Sequence, residues 1–413
     1  MFAINRNILD NGLEVLHIEV PSTAMVAVNI IYKVGARNES PSLTGFAHLF
    51  EHLMFGGSVN VPDFDRALHI AGGESNAWTS NDITNFYEVL PACNIETAFC
   101  LESDRMRCLA FTPQSLEVQR NVVIEEFKER VLNQPYGELG HIIRRMAFKT
   151  HPYRWPVIGL VPEHIARAEM EQVKEFFYSN YAPNNAILSV VGNVKADEVF
   201  ALARKWFGDI PRRKVSSAPI PAEPQQTDFR FESVSKDVPQ NVIYRGYKMC
   251  DALDSDYIAC DLVSDILANG KSSRFYRNLV TESGLFASAD AAIWGSYDPG
   301  LFTVSCVLMP GVDWKEAIDA IDAQLAALVN DGVEECELEK CVNKWESREK
   351  MACLGIKDLA QKLAYYAFLG NADSLNTEID RYRAVSPRDI MRVARNIFTP
   401  SNCSALHYGP DAR

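Results

Sequence analysis

The segment Gly45-Phe46-Ala47-His48-Leu49-Phe50-Glu51-His52-Leu53-Met54-Phe55 is the part of this chain from which the rest is best interpreted. If the segment is helical, His48 and His52 lie one turn apart on the same face. Glu51 then flanks that face, three residues after His48. The whole chain contains only eight histidines, so two of them at this spacing around a glutamate form a specific pattern.

Two imidazoles one helical turn apart can bind a single zinc ion. A carboxylate beside them that is not itself a ligand can act as a base toward water, as a zinc hydrolase requires. The order His-x-x-Glu-His is the reverse of the commoner His-Glu-x-x-His and is the inverzincin motif. An amphipathic helix with two incidental histidines is the alternative. The motif favours His48 and His52 as zinc ligands and Glu51 as the catalytic base.

The composition is typical of a globular protein with more than one domain. The chain has 413 residues, of which 47% are hydrophobic and 23% are charged. Its net charge of −13 argues against nucleic acid or an anionic membrane surface as the main partner. No stretch approaches the apolar length of a membrane span, and the N-terminal segment from Met1 to Val20 lacks a signal-peptide core.

The ten cysteines contain no Cys-x-x-Cys pair and occur mostly in apolar or helical contexts. This distribution is typical of reduced thiols in a cytoplasm-like compartment. We therefore expect a cytoplasmic location, or a periplasmic or organellar one if a targeting segment has been removed.

Strand and helix patterns follow one another along the chain and predict an α+β fold. Residues 13–34 alternate apolar and polar residues, which predicts two antiparallel strands joined around Pro21-Ser22. The segment 211–228 contains four prolines among Ser, Ala and Gln, a composition typical of a linker. We expect an N-terminal domain at 1–210, a linker at 211–228 and a C-terminal domain at 229–413.

A repeat relates the two halves of the sequence. The segment Tyr181–Asn185, with a predicted strand that runs to Gly192, is echoed at Phe398–Asn402, with a strand that runs to Gly409. One constant offset therefore relates both ends of the match, and a duplicated domain explains it most simply. We predict two homologous α/β-sandwich domains, each a mostly antiparallel sheet covered by helices.

The same offset tests whether the second half carries the zinc motif. The residues that it places opposite His48, Glu51 and His52 are Asp265, Ala268 and Asn269. This set cannot bind zinc as two histidines do, so we expect one zinc ion per chain, in the first half.

Several further motifs occur in the same order as in the pitrilysin and mitochondrial-processing-peptidase superfamily of zinc peptidases. With them, the sequence resembles this superfamily over nearly its whole length. The segments that carry the resemblance are Val34–Glu39, His48–Gly57, Gly72–Ser80, Tyr181–Asn185 and Ser272–Tyr276. The resemblance implies a zinc metalloendopeptidase that cleaves peptides bound as an added strand in a clamshell chamber.

The resemblance also implies a third zinc ligand, on a helix well after the histidines. The matching segment is Gln119–Phe127, and the ligand position in it is Glu126, with Glu125 as the local competitor. Two neutral histidines and one carboxylate leave a fourth site open for water. The residues Val118, Val122, Phe127 and Val131 predict an inward apolar stripe with Glu126 beside Val122. An exposed glutamate on a charged helix is the alternative, and Gln119 stands where the family usually has a second glutamate.

The segment Asn76-Ala77-Trp78-Thr79 matches the edge strand on which the family binds extended peptides. Free backbone groups on such an edge can pair with a peptide as an additional strand. We therefore predict that these four residues bind substrate; an ordinary hairpin rich in Asn and Thr is the alternative.

Members of the family carry an Arg, and a Tyr seven residues later, that bind substrate and stabilise the tetrahedral intermediate. Alignment of Ser272–Leu279 places Val280 and Ala287 at these positions. Some members divide the two functions between two chains. The resemblance therefore implies a heterodimer with a homologous, zinc-less partner that carries the Arg and Tyr, with a homodimer as the alternative. Two rival functions are a non-catalytic scaffold of the same fold and a peptide-binding module with structural zinc.

Overall fold

The computed structural model describes residues 1–215 and 219–411. Residues 216–218 of the predicted linker lie outside this range. Packing divides the chain into two compact units. The first unit contains Met1–Lys128, Trp155–Pro221 and Glu349–Thr377, and the second contains Glu129–Arg154, Ala222–Arg348 and Glu378–Arg413.

The first unit is built on a six-stranded sheet in the order β1-β2-β6-β3-β5-β4. Its strands are β1 Asn5–Ile8, β2 Glu14–Glu19, β3 Met25–Tyr32, β4 Glu74–Thr79, β5 Thr84–Pro91 and β6 Ala186–Gly192. The two antiparallel strands predicted within residues 13–34 are present as β2 and β3, but they do not pair with each other, because β6 lies between them, parallel to β2 and antiparallel to β3. Every residue of β6 is buried, which suits a strand with neighbours on both sides.

Helices cover the sheet of the first unit. They are α1 Phe46–Leu53, α2 Phe64–Ile70, α3 Ile95–Arg107, α4 Pro113–Phe127, α6 Pro162–Ala166, α7 Met170–Asn180, α8 Ala196–Phe207 and α12 Ile356–Phe368. The core between sheet and helices joins strand residues such as Val28 and Leu188 to helix residues such as Phe50, Phe99 and Phe177. The apolar side of α1 packs in this core.

The second unit is built on a five-stranded sheet in the order β7-β11-β8-β10-β9. Its strands are β7 Arg230–Lys236, β8 Val242–Lys248, β9 Phe286–Trp294, β10 Leu301–Leu308 and β11 Cys403–Pro410. Its helices are α5 Leu139–Ala147, α9 Tyr257–Ala268, α10 Trp314–Asp331, α14 Pro387–Ile397 and the π-helical turn Phe275–Glu282. The helices α11 Glu335–Ala352 and α13 Ser374–Arg383 belong mainly to it.

The strand order β7-β11-β8-β10-β9 repeats the order β2-β6-β3-β5-β4 of the first sheet. All of these strand pairs except β4 and β9 also correspond closely at the predicted offset. The pairs β2–β6 and β7–β11 are parallel, and the other neighbouring strands of these two matched orders are antiparallel. The predicted α+β class, with two related and mostly antiparallel sheets covered by helices, is therefore confirmed.

Two helices depart from a simple division of the chain into contiguous halves. Ile142 and Met146 of α5 pack with Val242 and Leu406 of the second sheet, although α5 lies among elements of the first unit in sequence. Conversely, α12 packs on β3 and β6 of the first sheet. The first residues of α5 and α12 are related by the same offset as the strands, so the same element of the repeat is exchanged in both directions. The contiguous ranges 1–210 and 229–413 stay a prediction.

No helix in the described ranges has both the length and the apolar character needed to cross a membrane. All ten cysteines lie within those ranges as free thiols.

Candidate metal centre

Helix α1 begins at a buried cap. Gly45 has a φ of 89°, and a Cβ there would lie 2.9 Å from the carbonyl oxygen of Ile158, so glycine is required on both counts. The side-chain oxygens of Glu39 accept hydrogen bonds from the backbone N–H groups of Gly45 at 2.9 Å and Ala47 at 2.8 Å. Carboxyl oxygens at a helix N-terminus satisfy amides that have no partner within the helix. Glu39 therefore anchors the N-terminal end of α1, just before His48.

Three predicted ligands meet in the first unit. The Nε2 atoms of His48 and His52 lie 3.3 Å apart. Oε2 of Glu126, near the end of α4, lies 3.6 Å from Nε2 of His48 and 3.4 Å from Nε2 of His52. In the described part of the chain, this is the one group of three or more His, Cys, Asp or Glu side chains arranged to hold a metal ion.

These three distances fit zinc. Zinc takes nitrogen and oxygen ligands tetrahedrally at about 2.0–2.2 Å, which places neighbouring ligand atoms about 3.3–3.6 Å apart. Neutral imidazole and carboxylate are ligand types that zinc accepts, and three protein ligands leave one position open. The donor set and its spacing therefore suit a zinc ion held by His48, His52 and Glu126.

Glu126 and its neighbour Glu125 lie on different sides of helix α4. Leu116, Val123 and Phe127 form the buried stripe of α4. At about 100° per residue, Glu126 lies at the border of that stripe and Glu125 on the opposite side. The Glu125 carboxylate is exposed and pairs with Lys128 at 2.7 Å. Of the two, only Glu126 faces the histidines.

The predicted stripe of Val118, Val122, Phe127 and Val131 is wrong. Val118 is 50% exposed and Val122 is 45% exposed, whereas Phe127 is buried. The π-helical turn Lys128–Leu132 ends the α-helical periodicity before Val131. The segment carries apolar residues on two faces at helical spacing, and tertiary packing buries only one of them.

Glu51 lies beside the histidines without belonging to the ligand triangle. Its Oε2 accepts a hydrogen bond of 2.6 Å from the Thr79 hydroxyl, at the end of β4. A hydroxyl donor on one carboxylate oxygen restricts the rotation of the side chain. Thr79 therefore holds Glu51 in one orientation.

Strand β4 forms an edge of its sheet, because within the described ranges β5 is the one strand paired with it. Asn76 and Trp78 are exposed along this edge strand, whereas Ala77 and Thr79 are half-buried. Oδ1 of Asn76 accepts a hydrogen bond of 2.8 Å from the backbone N–H of Ala77, so Asn76 folds back onto its own strand. The four predicted substrate-binding residues thus lie on an edge strand whose last residue, Thr79, contacts Glu51.

The equivalent helix of the second unit, α9, has a different polar pair. Nδ2 of Asn269 donates to Oδ1 of Asp265, and Ala268 occupies the place of Glu51. A side-chain hydrogen bond thus replaces the pair of imidazoles. Val280 is half-buried and Ala287 is exposed, and neither side chain has a hydrogen-bond donor.

Sequence reasoning did not single out Glu39 as a site residue. The signal was available, because Glu39 ends one of the segments that carry the family resemblance. Burial raises the pKa of Glu39 to about 8, against the opposing effect of the backbone N–H groups of Ala47 and Gly45. This carboxyl group is therefore buried at the start of the helix that carries His48 and His52, outside the group of three candidate ligands.

The chain belongs to peptidase family M16. Residues 14–151 match the model described as "Insulinase (Peptidase family M16)", a range that contains His48, Glu51, His52 and Glu126. Residues 167–344 match the model described as "Peptidase M16 inactive domain". The predicted resemblance is confirmed.

Individual relatives agree with this membership. The chain is 29% identical over 408 residues to a Helicobacter pylori protein named zinc protease PqqE, a match that covers 97% of this chain and 92% of that protein. The crystal structure of a protease from Helicobacter pylori aligns with a TM-score of 0.93 at 28% identity, over 99% of this chain and 100% of that one. Pitrilysin shares the fold, with a TM-score of 0.78 at 17% identity over 99% of this chain and 45% of its own.

Proposed function

We propose that this chain is a zinc metalloendopeptidase that cleaves peptides bound as an added strand along β4. The observation that carries the proposal is the triangle of His48, His52 and Glu126, with a non-ligand carboxylate held beside it. A metal site that serves only structure has no need of Glu51, or of a position left open by the protein.

His48, His52 and Glu126 would hold the zinc ion. When bound, zinc supplies a Lewis acid that polarises the scissile carbonyl and acidifies water. The Glu51 carboxylate accepts the proton that the attacking water loses as its oxygen bonds to the carbonyl carbon. When the C–N bond breaks, the same carboxyl group returns this proton to the departing amine nitrogen.

Strand β4 would orient the peptide. An extended peptide that pairs with the outer edge of β4 presents its backbone in a fixed register. Because Thr79 ends this strand and contacts Glu51 at 2.6 Å, a peptide in this register would bring one peptide bond next to the base. The exposed Asn76 and Trp78 flank the same path.

We also propose that a homologous, zinc-less partner chain completes the site. Val280 and Ala287 offer no donors for a developing oxyanion or for substrate carbonyls. The neighbouring Arg274 is engaged, because its guanidinium donates to both carboxylate oxygens of Glu337 at 3.0 and 2.7 Å and to the carbonyl of Gly332. A second copy of this chain, the alternative partner, brings the same deficient half.

Metal analysis combined with a peptide assay tests the function. The purified chain should contain about one zinc per molecule, as three protein ligands at one centre predict. A chelator should abolish cleavage of an internally quenched peptide, and zinc should restore it. Cleavage that persists after complete zinc removal would contradict the proposal, as would a chain that takes up no zinc.

A further inference from the structure

The second unit contains a cavity of about 340 Å³ beneath helix α10. Ile318, Leu325 and Val329 of α10, with Phe398 and Ala405, give it largely apolar walls. Small-molecule sites begin at about this size and combine apolar walls with a few polar groups. The cavity lies wholly within the second unit, which lacks the metal ligands.

Arg245 is the one basic residue that lines this cavity. It lies on β8 and is only 5% exposed. Its guanidinium makes two hydrogen bonds to described residues, both from Nη1: one to Oδ1 of Asp322 and one to the hydroxyl of Tyr247 at 3.3 Å. Nε is buried and has no hydrogen-bond partner in the same part of the chain.

A buried N–H without a partner costs free energy, so an acceptor from a ligand would stabilise it. The bonds from Nη1 leave the edge formed by Nε and Nη2 for that ligand. This edge has two parallel donors and matches the two oxygens of a carboxylate. Because Arg245 lines a cavity with largely apolar walls, this donor pair would select an anion with an apolar body.

The charge of the cavity distinguishes a carboxylate from a phosphate. Arg245 supplies one positive charge, and the Asp322 carboxylate, on a side chain that is 57% exposed, already opposes part of it. A dianion would bring a second negative charge next to Asp322 without another cation to balance it. A monoanion brings only half of that added negative charge, so Asp322 opposes it less than it opposes a dianion.

We propose that this cavity binds a small aliphatic monocarboxylate, with its carboxylate on the Nε–Nη2 edge of Arg245 and its chain against α10 and Phe398. The site is independent of the zinc centre and of peptide hydrolysis. Binding requires neither metal nor activity, so the two proposals fail or succeed separately.

Calorimetric titration of the full chain with hexanoate tests this site, with 1-hexanol as the neutral probe of similar shape. Saturable binding of hexanoate at one site per chain is expected, in both the metal-free and the zinc-loaded protein. Because a charge-assisted bidentate contact is lost, 1-hexanol should bind at least about tenfold more weakly. Equal binding of the two probes, or no saturable binding of hexanoate, overturns the proposal.

Three variants locate the ligand. Arg245→Met keeps an apolar stem and should weaken hexanoate binding by about tenfold or more. Ala326→Phe, at an exposed position that lines the cavity, should block it. Asp322→Asn removes the opposing charge and should tighten binding by about three- to tenfold.

The last two variants change surface positions, so they remain informative if Arg245→Met fails to fold. A non-specific apolar site would respond neither to Asp322→Asn nor to the difference between acid and alcohol. Hexanoate binding that is unchanged in Ala326→Phe and in Asp322→Asn overturns the assignment.

Discussion

Thr79 donates a hydrogen bond of 2.6 Å to Oε2 of Glu51 and so connects the end of edge strand β4 to the helix that carries both histidines. The candidate base is thereby oriented by the same strand that would bind the peptide. A peptide that pairs with β4 would consequently be in register with Glu51.

Thr79→Val should lower turnover by about ten- to a hundredfold, because a hydrogen bond to a charged group contributes about 1.5–3 kcal/mol. Valine keeps the shape of threonine but cannot donate a hydrogen bond. Zinc content should not change, since neither Thr79 nor Glu51 is among the three proposed ligands. Thr79→Ser is the matched control and should retain most activity; equal turnover of the valine and serine variants would rule out the positioning role.

Glu51→Gln should lower peptide cleavage by about two to four orders of magnitude, the usual size of a general-base effect. The amide keeps the size of the side chain but cannot accept a proton from water. Zinc measured by atomic spectroscopy should stay at the wild-type level. Zinc loss in this variant would show that Glu51 is a ligand.

Glu126→Gln should lower zinc occupancy after dialysis, whereas Glu125→Gln should leave it unchanged. The Glu126 carboxylate lies 3.4 and 3.6 Å from the two imidazole nitrogens, and Glu125 is paired with Lys128 on the exposed side of α4. Removal of one of the three proposed protein ligands should reduce zinc affinity strongly. The reverse order of zinc contents would transfer the ligand role to Glu125.

Glu39→Gln should remove a pH dependence of stability. The folded-state pKa of Glu39 is raised from its ordinary value of 4.5 to about 8, mainly by burial. The folded chain therefore holds this proton more tightly than the unfolded chain does. The contribution of Glu39 to the free energy of unfolding is thus full below its ordinary pKa of 4.5 and is lost as the pH rises through about 8.

The measurement is the thermal midpoint of the metal-free chain between about pH 5 and pH 9. The wild-type midpoint should fall more steeply with pH than that of Glu39→Gln. Glu171→Gln, which changes a carboxyl group on a side chain that is 85% exposed, is the control and should follow the wild type. Parallel curves for wild type and Glu39→Gln would contradict the assignment.

The chain purified alone should turn over peptides at a rate lower by about a hundredfold or more than the chain co-expressed with a homologous partner that carries the Arg and Tyr. Loss of one oxyanion donor typically costs this much. Ala287→Tyr combined with Val280→Arg should raise the turnover of the isolated chain, with folding checked by its thermal midpoint. Full activity of the unmodified chain alone, with no effect of Arg274→Ala or Arg277→Ala, would exclude the need for a different partner.

Local spacing and periodicity were sufficient to predict the His-x-x-Glu-His helix, the α+β class and the constant offset that relates the two halves. These features depend on residues close in sequence, or on a repeat visible along it. The family resemblance indicated Glu126, which the residues alone could not separate from Glu125.

Tertiary structure decided the properties that depend on residues distant in sequence. In the first sheet β6 lies between β2 and β3, because packing across the whole sheet, and not the nearest turn, determines which strands pair. Tertiary structure buried Leu116 and Val123 of α4 and left Val118 and Val122 exposed, which turned Glu126 toward the histidines. It also left the buried Nε of Arg245, a residue that lines a largely apolar cavity, without a partner among the described residues. Each outcome follows from contacts between separate elements, and a pattern within one element does not record those contacts.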